Sequence, residues 1–206
     1  MNDDPYSRLV DVRRTLMRLG DEIRFGMRLN ALWQRCASEV DILDRMRGTL
    51  EGAAFDSLRD GLHMSLVQSV MRLHDSTKGT VSFGRVFKAL ARPEMAQAVA
   101  GLDWSTKVGS VAKVAAARTK LSATDVQQWM DALKTLRDEH IAHSGAERGA
   151  PEAKYGFERR LLSVSIEAFE ELDLAINAAS NDFEFEEQQY AAQADAFWSH
   201  VALPPR

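Results

Sequence analysis

The chain has a single cysteine, Cys36, which excludes a disulfide framework or a thiolate metal cluster within it and fits a reducing compartment. No stretch is apolar for the 18 or more residues, roughly, that a membrane helix needs. The start, Met1-Asn2-Asp3-Asp4-Pro5, is acidic where a secretory signal is basic and then apolar. The expectation is a cytoplasmic protein with no membrane partner. Gly-x-Gly-x-x-Gly, a phosphate loop and a serine-centred nucleophile elbow are all missing, so nucleotide hydrolysis and acyl transfer have no starting point and no cofactor is expected. Broad phosphate neutralisation is also disfavoured, because the net charge is −4 and coating a nucleic acid calls for a basic surface.

Charge is unevenly spread. Arg8, Arg13, Arg14, Arg18, Arg24, Arg28, Arg35, Arg45 and Arg47 crowd the first quarter, whereas no lysine or arginine occurs between Arg160 and Arg206. Two solvated helical faces, lying against each other or against a second subunit, account for this pattern, and a basic groove for an anionic ligand is the alternative.

With five prolines and twelve glycines, interruptions are few, and the intervals between them carry apolar residues three and four apart. This period predicts an all-α chain. One helix is expected from Pro5 through Leu9, Val12, Leu16 and Leu19, a second through Ile23, Met27, Leu32 and Trp33, and a third with Val40, Leu43 and Met46. A long helix over 53–74 follows. Ser82 reads as the N-cap of a short helix to Leu90, and Arg92-Pro93 opens another that ends near Gly101. Residues 103–106 read as a turn before an alanine-rich helix over 107–120. Ser122-Ala123-Thr124-Asp125 resembles a capping box that opens the next helix, which should stop near Ser144-Gly145. Helices over 155–178 and 183–200 complete the chain. The expectation is one domain over 1–206, with a core at about 20–180 and a helical extension at about 181–200.

Within the helix that opens at Ser122, three rows with a spacing of seven share one side: Val126, Leu133 and His140; Trp129, Leu136 and His143; Met130, Arg137 and Ser144. Seven residues is nearly two turns, so the rows form one stripe that is apolar at first and ends in Arg137, His140 and His143. Cations on such a face call for protein, a second subunit or a ligand. A structural hydrogen-bond cluster answers that need, and so does a metal-free phosphodiester-cleaving pair. Arg137 and His140 are i,i+3 neighbours, whereas Arg137 and His143 stand about 9 Å apart along the axis and about 120° around it. A metal site is a further alternative, with His74, Asp75, His140 and His143 as nitrogen and oxygen ligands. Met64, Met71, Trp129 and Met130 read as core.

Spacing alone carries little, since an arginine at this distance before a histidine arises by chance about once in a chain of this composition. The surroundings say more. Leu32-Trp33-Gln34, then Arg72-Leu73-His74-Asp75-Ser76 ahead of Val81-Ser82-Phe83, then Leu136-Arg137-Asp138 with Ile141-Ala142-His143, resembles the AbiU-type branch of the HEPN superfamily, named for phage abortive infection, over about residues 20–180. The resemblance implies an antiparallel helical bundle of HEPN type with additional short helices. It also implies a two-fold homodimer with its site at or near the interface and, in active members, a metal-independent ribonuclease acting on RNA. Arg137 and His143 match the Arg-x(4–6)-His signature, and Asp138 matches the polar residue after the arginine. His140 is an extra histidine able to compete for the acid/base part. Other members of the superfamily are binding modules, so an interaction protein paired with a cognate antitoxin or defence partner is the alternative from a different class.

Overall fold

The computed structural model describes residues 5–38, 40–49, 51–75, 80–142 and 156–201. Its elements are all helices: α1 Pro5–Ser38, α2 Val40–Met46, α3 Gly52–His74, α4 Phe83–Leu90, α5 Pro93–Ala100, α6 Ser105–Val108, α7 Ser110–Leu121, α8 Thr124–Ala142, α9 Phe157–Asn177 and α10 Phe183–Val201. No described helix is long and apolar enough to cross a membrane. By its contacts the chain divides into two compact units, Met1–Ile23 with Val70–Asn181, and Arg24–Ser69 with Asp182–Arg206.

In the first unit, Leu9, Val12, Leu16, Leu19 and Ile23 of α1 are buried, as are Leu161, Leu162, Phe169, Leu172 and Ile176 of α9. Contacts along α9 fix its direction. Ser110 Oγ donates to the Ala175 carbonyl (2.8 Å), Lys113 pairs with Glu171 (2.7 Å) and Lys120 with Glu167 (2.6 Å). Numbers rise on α7 as they fall on α9, so the two are antiparallel. α8 continues the series, for Trp129 stacks on Phe157 with centroids 6.4 Å apart and Arg160 lies over the Trp129 ring.

The second unit closes around Cys36, Ile42, Phe55 and Trp198, with Leu32, Trp33 and Leu62 packed against them. Trp198 Nε1 donates to the Leu32 carbonyl (3.0 Å), and its ring meets Phe55 edge-on. Arg24 forks onto both oxygens of Glu186, Arg28 reaches the Tyr190 hydroxyl and Arg35 pairs with Asp195. Here numbers rise together, so α10 runs parallel to α1. The arginine crowding of the amino-terminal quarter and the acidity of the last stretch are, in this unit, two faces lying against each other. Cys36 donates to the Trp33 carbonyl (3.2 Å), and burial pushes its thiol up to about 11, which leaves little thiolate for redox or metal chemistry.

Several local expectations are corrected. The two helices expected from Pro5 to Trp33 are one, α1. Gly20 costs a helix interior about 1 kcal/mol relative to alanine, and burial of Leu16, Leu19, Ile23 and Met27 on either side of it offsets that. The alanine-rich helix is broken at Gly109, which adopts φ +67° between α6 and α7. Ser82 holds the N-cap position of α4 without a side-chain cap bond, and its Oγ is buried with no partner among the described residues. Ser122 does not open α8 either. Its hydroxyl donates back to the Thr119 carbonyl and closes α7, while Asp125 Oδ1 accepts the Val126 N–H at the start of α8. The expected stop at Ser144-Gly145 lies outside the described residues.

Left-handed backbone gives a paired test. A Cβ at Gly109 would meet no atom within 4 Å, so Gly109→Ala should cost only the backbone penalty, about 1–2 kcal/mol. Ala178 already carries that penalty at φ +52°, as the C-cap of α9. Ala178→Gly is therefore expected to stabilise by about 0.5–1 kcal/mol. Urea midpoints should move in opposite directions, and a shared direction would contradict the account.

Candidate functional site

α8 carries the predicted cluster. Its buried row is Val126 and Leu133, the row that His140 continues in register. Trp129, Leu136, Met130 and Arg137 are partly buried and flank it. Arg137 therefore stands at the margin of the packed face rather than within it, with one third of its side chain exposed. Both Nε and Nη2 donate to the same oxygen of Asp138, at 2.9 and 2.7 Å. Adjacent residues on a helix do not face each other, so this bond turns the guanidinium sideways along the helix surface. A guanidinium has five N–H donors, and three of Arg137's make no hydrogen bond among the described residues. His140 lies within α8, but its side chain is outside the described set, and His143 is outside it altogether.

His74, at the end of α3, is held elsewhere. Its Nε2 lies 2.9 Å from Ser165 Oγ, and the Phe83 ring centroid is 5.7 Å from that of the imidazole. The Ser165 hydroxyl has one proton and a 2.6 Å contact to the Leu161 carbonyl. Giving the proton there leaves only lone pairs for His74, so the network assigns Nε2–H as the donor and a bare Nδ1. Burial lowers the imidazole to about 4, and the ring is neutral at pH 7.

The two clusters lie in opposite directions from the Trp129–Phe157 contact. Arg137 is about 12 Å of axis beyond Trp129 toward the end of α8, and Ser165 is about 12 Å beyond Phe157 along the antiparallel α9. The described geometry thus keeps His74 and Asp75 away from the helix end that bears His140. Among the described residues, no group of three or more His, Cys, Asp or Glu side chains could hold a metal ion.

Two residues near these clusters carry no signal in the sequence. Glu158 is buried at the start of α9, where both its carboxylate oxygens accept the Gly156 N–H at 3.1 Å. Ser165, the partner of His74, looks like any helical serine. A glutamate in a first helical turn is too ordinary to single out, and a serine becomes legible only through its tertiary contact.

No curated protein and no solved structure matches the chain. Among protein families, the HEPN model described as AbiU2 matches residues 11–197, which spans most of both units.

Proposed function

The chain belongs to the AbiU2 family of HEPN proteins, and on that premise we propose that it is a metal-independent endoribonuclease of phage defence or of a toxin–antitoxin pair. The observation that carries the reading is Arg137, half-engaged by Asp138 at the end of α8 with donors to spare, at the position where the family signature has its arginine. In this reading His143 takes the proton of a ribose 2′-hydroxyl as that oxygen attacks the adjacent phosphorus. The P–O5′ bond breaks, and the departing oxygen takes up a proton, leaving a 2′,3′-cyclic phosphate and a 5′-hydroxyl. The guanidinium holds the non-bridging oxygens as negative charge builds on them. Asp138 is a positioning residue, and His140 is the rival for the acid/base part. A two-fold dimer would bring two such helix ends around one cleft.

Cleavage of RNA by the purified protein in excess chelator tests this directly. Wild type should cut without added metal, and His143→Ala should not; activity that chelator abolishes would overturn the reading. A second reading, the non-catalytic interaction module, is favoured by α1. Tyr6, Val10 and Met17 are 68%, 52% and 69% exposed, and their spacing places them on one stripe of α1. Such an apolar stripe is suited to a partner helix or a second copy. It predicts a harmless wild type that co-purifies with a partner.

A further inference from the structure

A groove of about 690 Å³ runs between α1 and α4, entirely within the first unit. Arg8, Arg85, Lys88 and Arg92 line it, with Asp11 as an acidic group on its wall and the Thr15 side chain beside it. Arg8 is neutralised by Glu94 at 2.6 Å. Arg85, Lys88 and Arg92 are exposed and make no ion pair with any described residue. Arg85 and Lys88 are i,i+3 neighbours on α4, and Arg92, the extended N-cap residue of α5, adds a third cation to the lining.

Three cations without an ion pair among the described residues, lining one groove of an acidic protein, call for an anion with several charges in a row, since a single phosphate would engage one or two of them. None of the described lining residues has an aromatic ring on which a base could stack. The groove therefore suits a sugar–phosphate backbone better than a nucleotide. Arg8 and Arg13 of α1 do not extend this surface, because Arg13 is drawn to the Ile176 carbonyl and the Trp104 ring, as Arg8 is to Glu94.

We propose that this groove is a docking track for the backbone of single-stranded RNA, separate from the end of α8. The proposal rests on RNA being the substrate. It is tested on the full chain carrying His143→Ala, by fluorescence anisotropy with a labelled single-stranded RNA 20-mer across a salt series. Arg85→Gln/Lys88→Gln/Arg92→Gln should weaken binding at least tenfold at low salt and flatten the log–log salt slope by about 2, since each phosphate contact on a single strand contributes about 0.7. Arg47→Gln, an exposed cation outside the groove, should change binding little. Unchanged affinity and slope in the triple variant would overturn the track. Displacement of the RNA by ATP as effectively as by an unlabelled oligonucleotide would also overturn it, in favour of a small-anion site. Cleavage assays separate this proposal from the nuclease reading. A wild type that cuts nothing, while His143→Ala binds RNA through the groove, keeps the track and removes the nuclease. A wild type that cuts, and cuts equally well with the triple substitution, does the reverse.

Discussion

Arg137→Ala is expected to lower RNA cleavage at least a hundredfold while leaving the fold intact. The size follows from the part assigned to the guanidinium: removing one preorganised donor to developing negative charge typically costs about 10²–10³ in rate. Integrity of the fold follows from exposure. Arg137 and Asp138 are 33% and 55% exposed, and ion pairs of that kind contribute about 0–1 kcal/mol. The melting temperature of Arg137→Ala should stay within a few degrees of wild type. Arg137→Lys should recover only part of the rate, because an ammonium is a point charge without the planar fork. Asp138→Asn keeps the acceptor but not the charge, and a small effect is expected. Full activity in Arg137→Ala would remove the guanidinium from the chemistry, and collapse of the melting transition would make the residue structural.

His74 gives the second large effect, on stability against pH. Its folded value of about 4 lies below its ordinary 6.5, so between these limits the unfolded chain takes up a proton that the folded one refuses. Stability contributed by the neutral imidazole is thus fully present above pH 6.5, falls as pH drops through the window and levels off below about 4. The full shift corresponds to about 3 kcal/mol at about 1.4 kcal/mol per unit. Because carboxylates begin to titrate at the lower end, the comparison has to be with His74→Gln. At pH 7 the variant should be less stable, through loss of the bond to Ser165. Toward pH 4.5 it should match or exceed wild type. Parallel urea midpoints for the two proteins over this range would contradict the assignment.

What could be read in advance divides along physical lines. α4 and α5 were legible because Ser82 and Pro93 punctuate the chain locally, although the Ser82 hydroxyl turned out not to cap anything. The break at Gly109 was hidden in an alanine-rich run with little periodic contrast, where a glycine at positive φ looks like one tolerated in a helix. In sequence α1 reads as two helices because a glycine weighs more there than the tertiary burial that overrides it. At the site, the register of Arg137 on α8 was visible, but its place at the edge of the buried row was not. Asp138's grip on it depends on side-chain torsions that no spacing encodes. Ser165 lies 91 residues from His74, beyond any local pattern. The cations at 85, 88 and 92 share the spacing of an ordinary solvated face, and only the groove beside them distinguishes the two.

The parallel pairing of α1 with α10 has a consequence for biosynthesis. The hydrophobic cluster of Cys36, Ile42 and Phe55 is completed by Trp198, and Glu186 and Asp195 arrive on the same late helix. A nascent chain that has already emerged through Ser69 must therefore wait for more than a hundred further residues before that unit can close. At about 5–20 residues per second this is a delay of roughly 6–25 s. During it the apolar faces of α2 and α3 stand open on the ribosome, and they are the segments a chaperone would be expected to hold.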